Sequence, residues 1–192
     1  MNKVTDSPDK QALVDETRQD SSAVLSPLWY TVPGTLFIIF TAYTWIWPSF
    51  AGPSDLSGRL AFAIQCAFFA LLPFVATSLT LVIRRVRDGV LDPLAGQDGR
   101  ALRVHQLVTQ NTLHHFVWFA VSGLAISTRL TANEMRILPI LTGVFIAARF
   151  LYWWSFVSSG AVRRAPAGQI TLTVNVGLFL ATIAVFAIRG VA

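Results

Sequence analysis

Apolar and polar positions fall in long blocks along this chain. A polar, acidic stretch over residues 1–26 precedes five apolar segments, each about the length that a helix needs to cross lipid. The pattern predicts helices over 28–47, 59–83, 101–127, 137–156 and 168–188. Trp29 and Tyr30 belt one end of the first, and Trp45 and Trp47 the other. The belts stand roughly 27 Å apart at about 1.5 Å per residue, the depth of a bilayer core. Pro48, Gly52 and Pro53 close this segment, and Pro73 predicts a kink in the second. Residues 1–26 are expected to form a disordered cytoplasmic tail without a cleavable leader, residues 27–58 an added membrane helix and loop, and residues 59–192 a four-helix domain.

Composition agrees with a membrane bundle. Hydrophobic residues make up 54% of the 192 positions and charged residues 13%, about half the share of a soluble domain. The mean hydropathy is +0.57. The fold class expected is all-α, an integral membrane helical bundle. Net charge is +5, but the arginines flank apolar spans and form no patch interleaved with aromatics, which argues against nucleic acid. Lone Cys66 excludes an internal disulfide, and no metal-ligand spacing is present.

Charge also suggests an orientation. With the tail inside, Lys3, Lys10, Arg18, Arg84, Arg85, Arg87, Arg100, Arg103, Arg163 and Arg164 share the inner side, against Arg59, Arg129, Arg136 and Arg189 outside. The positive-inside rule then places the N-terminus in the cytoplasm and the C-terminus across the membrane.

Chemistry concentrates in the third segment. Arg103, Gln106, Gln110, Asn111 and His114 fall within an arc of roughly 140°, at about 100° per residue. Hydrocarbon offers such groups no partners, so the arc is expected to face other helices, a ligand or a wet cavity. No aspartate or glutamate lies within a span, which excludes paired-carboxylate chemistry and a carboxylate proton relay there. Arg149 is the one charge deep in an apolar run, with Tyr152 and Phe156 on its face. Two roles remain open for it: a structural or snorkelling cation, or contact with a bound anion. His114 and His115 read as proton carriers or as interhelical hydrogen-bonding groups, and Gln169, Thr171, Thr173 and Asn175 as donors and acceptors between helices.

The runs QNTLHHFVWFA, AARFLYWWSF and RRAPAGQITLTVNVGLFL, with the basic loop before them, resemble the MAPEG family of membrane proteins in eicosanoid and glutathione metabolism. They parallel its Asn-x-x-Glu helix, its Ala-Arg-x-x-Tyr helix and the basic loop before its last helix. The first segment is then an extra N-terminal helix, as in the mattrin-like branch. The resemblance implies a homotrimer with glutathione between subunits on the cytoplasmic side, and thiol-transferase or peroxidase chemistry. It also implies that Arg103, Gln110, Asn111, His114 and Tyr152 bind the cofactor, and that Arg149 or Arg163 stabilises its thiolate. His114 stands where the family has glutamate, Gln110 and Leu107 where it has arginines, and Phe156 where it has a second tyrosine. The expected function is therefore binding of an anionic or amphipathic small molecule at a subunit interface, with a non-catalytic membrane scaffold as the alternative.

Overall fold

A computed structural model describes residues 25–46, 50–90, 99–158 and 161–190, with the backbone alone at 46, 100, 158 and 161–164. Residues 1–24 of the expected tail, Trp47 and Pro48 lie outside the described residues. Five rods form the molecule: α1 (Leu28–Thr41), continued by a π-helical stretch Ala42–Ile46; α2 (Leu56–Ala70) running into α3 (Leu72–Asp88); α4 (Arg100–Ser127); α5 (Ile137–Ser158), entered through a 3₁₀ turn Glu134–Arg136; and α6 (Ala161–Arg189). The described residues contain no strand. The protein is an all-helical membrane bundle.

Three rods, Leu56–Asp88, Glu134–Val157 and Ala165–Arg189, are long and apolar enough to cross a bilayer. The other two expected spans form helices but do not reach that standard by themselves. The first leaves α geometry after 14 residues, and α4 carries polar groups through its first half.

Local chemistry explains the boundaries. Asp55 starts α2 by accepting from the Gly58 N–H at 2.7 Å, an N-cap that satisfies one of the free donors of the first turn. The expected break at Pro73 is present. Pro73 has no N–H for the Phe69 carbonyl, and the helix is interrupted at Leu71, the single residue that separates α2 from α3. Gly89 ends α3 at φ +70°, the left-handed value that glycine reaches without a Cβ clash. Two boundaries differ from expectation. Helix α3 runs on through Arg84, Arg85 and Arg87 to Asp88, past the expected end at residue 83. The segment holding Arg163 and Arg164 was expected as a loop, but α6 begins at Ala161 and passes through Pro166. A proline near a helix start forfeits one hydrogen bond without ending the helix, and the same happens at Pro33 in α1.

The core lies among α2, α4, α5 and α6. Cys66, Phe119, Leu138, Leu141, Phe145 and Val174 are buried together, and the Phe119 and Phe145 rings stack at 4.8 Å. Ala63 and Ala70 let α2 approach closely. Helix α1 packs outside this group, mainly on α6, where Thr31 Oγ1 donates to Gln169 Oε1 at 2.7 Å.

At the far end of the bundle, the turn after α4 leaves carbonyls exposed, and two arginines meet them. Arg59 donates to Leu130 O at 2.7 Å and to Thr128 O at 3.3 Å, while Arg189 donates to Arg129 O at 2.7 Å. Arg189 also holds Glu134 through both carboxylate oxygens, at 2.8 and 2.6 Å. These contacts join the ends of α2, α4, α5 and α6.

Candidate functional site

Arg149 is carried on α5 to the centre of the bundle and is 1% exposed. Its Nη2 donates to Asn111 Oδ1 on α4 at 3.0 Å, and its guanidinium lies 4.3 Å over the Tyr152 ring, one turn further along α5. Nε and Nη1 are buried with no hydrogen-bond partner. Snorkelling is thereby excluded, since the side chain ends inside the protein. No carboxylate shares its surroundings among the described residues, so the charge is met by an amide oxygen and a ring face only.

A second polar node lies between α4 and α6. Asn175, fully buried, donates through Nδ2 to His115 O at 3.0 Å and stands 3.1 Å from His115 Nδ1. A backbone oxygen can only accept, so the amide must turn its NH₂ toward His115. That makes Nδ1 an acceptor and leaves the ring proton on Nε2. The Asn175 Oδ1 and the Thr112 Oγ1 are buried without partners. The two nodes thus hold buried donors and acceptors that find no partner among the described residues.

The expected constellation assembles only in part. Asn111, Arg149 and Tyr152 meet, and Phe156 packs on Tyr152 at 5.6 Å. Arg103, Gln106, Gln110 and His114 do not join them. They are exposed, on a face of α4 turned away from the chain's own helices. The reason is helical geometry. The inward face of α4 is taken by Leu102, His105, Val108, Thr112 and Phe119, with Asn111 at its edge, so the rest of the expected arc rotates outward. Arg163 lies in the first turn of α6, and its side chain falls outside the described residues. Gln169, Thr171 and Thr173 differ in use: Gln169 meets Thr31, while both threonines donate to carbonyls one turn back on their own helix.

Sequence reasoning did not find one further feature. A cavity of about 450 Å³ opens between the end of α3, the start of α4 and the end of α5, with Arg84, His105, Trp153 and Trp154 on its walls. His105 is 3% exposed, and the Trp153 Nε1–H donates to its Nδ1 at 3.4 Å. These residues come from three helices, and no local spacing joins them. The one available signal was a buried-type histidine aligned with Leu102 and Val108 on the apolar face of α4.

No family model matches the chain, and no solved structure matches it. Two curated proteins are similar to it, Transmembrane protein 79 of Mus musculus and Transmembrane protein 79 of Bos taurus. Each is 27% identical over 108 residues, which is 56% of this chain and 27% of the relative. The chain thus spans about a quarter of the length of the curated relatives it matches. The likeness to proteins named for crossing the membrane agrees with the apolar rods, and the chain is a membrane protein.

Proposed function

We propose that this membrane protein is a divergent MAPEG-like member that assembles as a homotrimer and binds an anionic, amphipathic small molecule where its copies meet. The observation that carries the reading is the outward stripe of α4. Arg103, Gln106, Gln110 and His114 are exposed on it, and none has a partner among the described residues. Lipid would leave Gln110 and His114, the members furthest along α4 into the apolar segment, unsatisfied at a substantial free-energy cost, whereas a second copy and a polar ligand would satisfy them. Asn111 borders this stripe and holds Arg149 behind it.

Glutathione asks for more than these residues supply. Its two carboxylates need cations and its ammonium needs an acceptor. Arg149 is sealed within one chain, Arg103 is the one arginine on the stripe, Gln110 carries no charge, and no acid is among the described residues here. The residues do not fit that cofactor, and no thiol chemistry is derived through it. The sealed guanidinium equally favours a second reading, a membrane scaffold that keeps the fold without catalysis.

The test measures mass and thermal stability of the detergent-purified chain with excess glutathione, its sulfonate analogue, or a fatty acid. Binding to the native state raises the melting temperature by mass action. The proposal expects a trimer, a rise for at least one anion, and loss of that rise in the Gln110→Leu/His114→Leu double variant. A trimer with flat responses to all three selects the scaffold. A monomer made more stable by the double variant assigns the stripe to lipid and overturns both readings.

A further inference from the structure

We propose that the lateral cavity between α3, α4 and α5 is a binding site for an acidic phospholipid, with the headgroup phosphate on Arg84 and an acyl chain along the aromatic wall. The volume of about 450 Å³ is within the range of small-molecule sites. Its wall on α5 is formed by Phe150, Trp154 and Val157, which are 39%, 76% and 50% exposed, so the cavity opens sideways toward the surrounding medium. In a membrane bundle that medium is lipid.

Among the described residues, Arg84 is the one charged group on the walls. It follows the apolar run 81–83 and lies one turn beyond Thr80, which also lines the cavity. No carboxylate pairs with it among the described residues. A guanidinium at the end of an apolar run stands at headgroup depth, and its forked donors match a phosphate in two-point geometry. Arg85 and Arg87 follow on the same helix end and add to the positive field that draws acidic lipid. The indoles of Trp153 and Trp154 are the ring type that settles at this interface. His105 closes the floor, and its Nδ1 accepts from Trp153, which leaves the Nε2 as the protonated nitrogen of the neutral ring.

The combination selects one occupant. A free phosphate would make no use of the aromatic wall, and a zwitterionic lipid would set its own cation near Arg84. Asn111, Arg149 and Tyr152 line no part of this cavity, so the inference stands apart from the function proposed above.

Native mass spectrometry of the full chain tests it, with phosphatidylglycerol, phosphatidylcholine and soluble glycerol 3-phosphate as probes. Wild type should retain phosphatidylglycerol over phosphatidylcholine by about fivefold or more, the factor expected for one interfacial basic residue. Arg84→Ala should equalise the two lipids, while Arg84→Lys should keep most of the preference. Thr80→Trp should fill the cavity and lower retention of both, and glycerol 3-phosphate in excess should not displace bound lipid. Equal retention by wild type, or a preference unchanged in Arg84→Ala, overturns the site. Displacement by glycerol 3-phosphate would reduce it to a phosphate site and overturn the role of the acyl chain.

Discussion

The Arg149 guanidinium donates to the Asn111 side-chain oxygen across 3.0 Å, and this is the one side-chain hydrogen bond that the buried cation makes among the described residues. A charge held by a single amide in a membrane bundle is a point of high stake. Removing the amide strands the charge, while removing both partners leaves a gap that an apolar side chain can fill.

Asn111→Leu is therefore expected to lower stability by about 2–3 kcal/mol, the scale of a hydrogen bond to a charged group. The Asn111→Leu/Arg149→Met double variant should recover most of that loss. Chemical unfolding in detergent measures both. Additive losses would show that Arg149 holds something other than Asn111.

The two glycines that touch other helices should behave in opposite ways. A Cβ on Gly52 would stand 2.5 Å from the Met135 Cβ, an atom whose position the backbone fixes and no rotamer changes. Gly52→Ala should cost about 1–3 kcal/mol, the usual range for overpacking. A Cβ on Gly168 meets the Tyr152 ring at 3.6 Å, ordinary contact, so Gly168→Ala should be neutral or stabilising by about 0.5–1 kcal/mol through helix propensity. Thermal midpoints of the two variants check the contrast.

Thr31→Val removes the hydroxyl that ties α1 to Gln169 and keeps the side-chain shape. Loss of one buried hydrogen bond predicts about 1 kcal/mol. Because α1 packs mainly on α6, the effect should be local. Hydrogen exchange should rise in α1 while the core helices α4 and α5 stay protected, and uniform loss of protection would contradict this docking.

Arg189 and Glu134 form a two-point ion pair at 2.6 and 2.8 Å, but their side chains are 38% and 34% exposed. Solvent screens such a pair, so Glu134→Gln should cost under about 1 kcal/mol, and less at high salt. The comparison is unfolding at low and high ionic strength.

Asp55 should impose a pH dependence at the acid side. The Ser57 hydroxyl first, and then the Gly58 N–H, hold its carboxyl below the ordinary carboxylate value. The folded value is the lower one, so its contribution is complete above the unfolded value and is lost as pH falls through the folded one. Asp55→Ala should lower the thermal midpoint at neutral pH and make no difference once the wild-type carboxyl is protonated.

Much of the architecture was legible because membrane insertion is written in local composition. Apolar length, flanking arginines and the break at Pro73 act on their own segments, and helices formed in all five places, though α3 and α6 run on through arginines expected to flank them. Arg149, Asn111 and Tyr152 were legible as well, since a lone cation in an apolar run has few ways to be satisfied. Two features had no such trace. The spacing of Arg103, Gln106, Gln110 and His114 defines one stripe on α4, yet which stripe turns inward depends on what α2, α5 and α6 offer. The cavity at Arg84 draws on three helices, and it exists only where their ends diverge.

Alone, then, the order of residues decided that this chain makes long apolar helices, roughly where each lies, and that no aspartate or glutamate falls within an apolar span. Packing decided the rotation of α4 about its axis, which put His105 and Thr112 inside and Gln110 and His114 outside. The physical reason is that helix formation depends on neighbours a turn away. The facing of a helix is a sum over contacts from several others, and no single segment carries that sum.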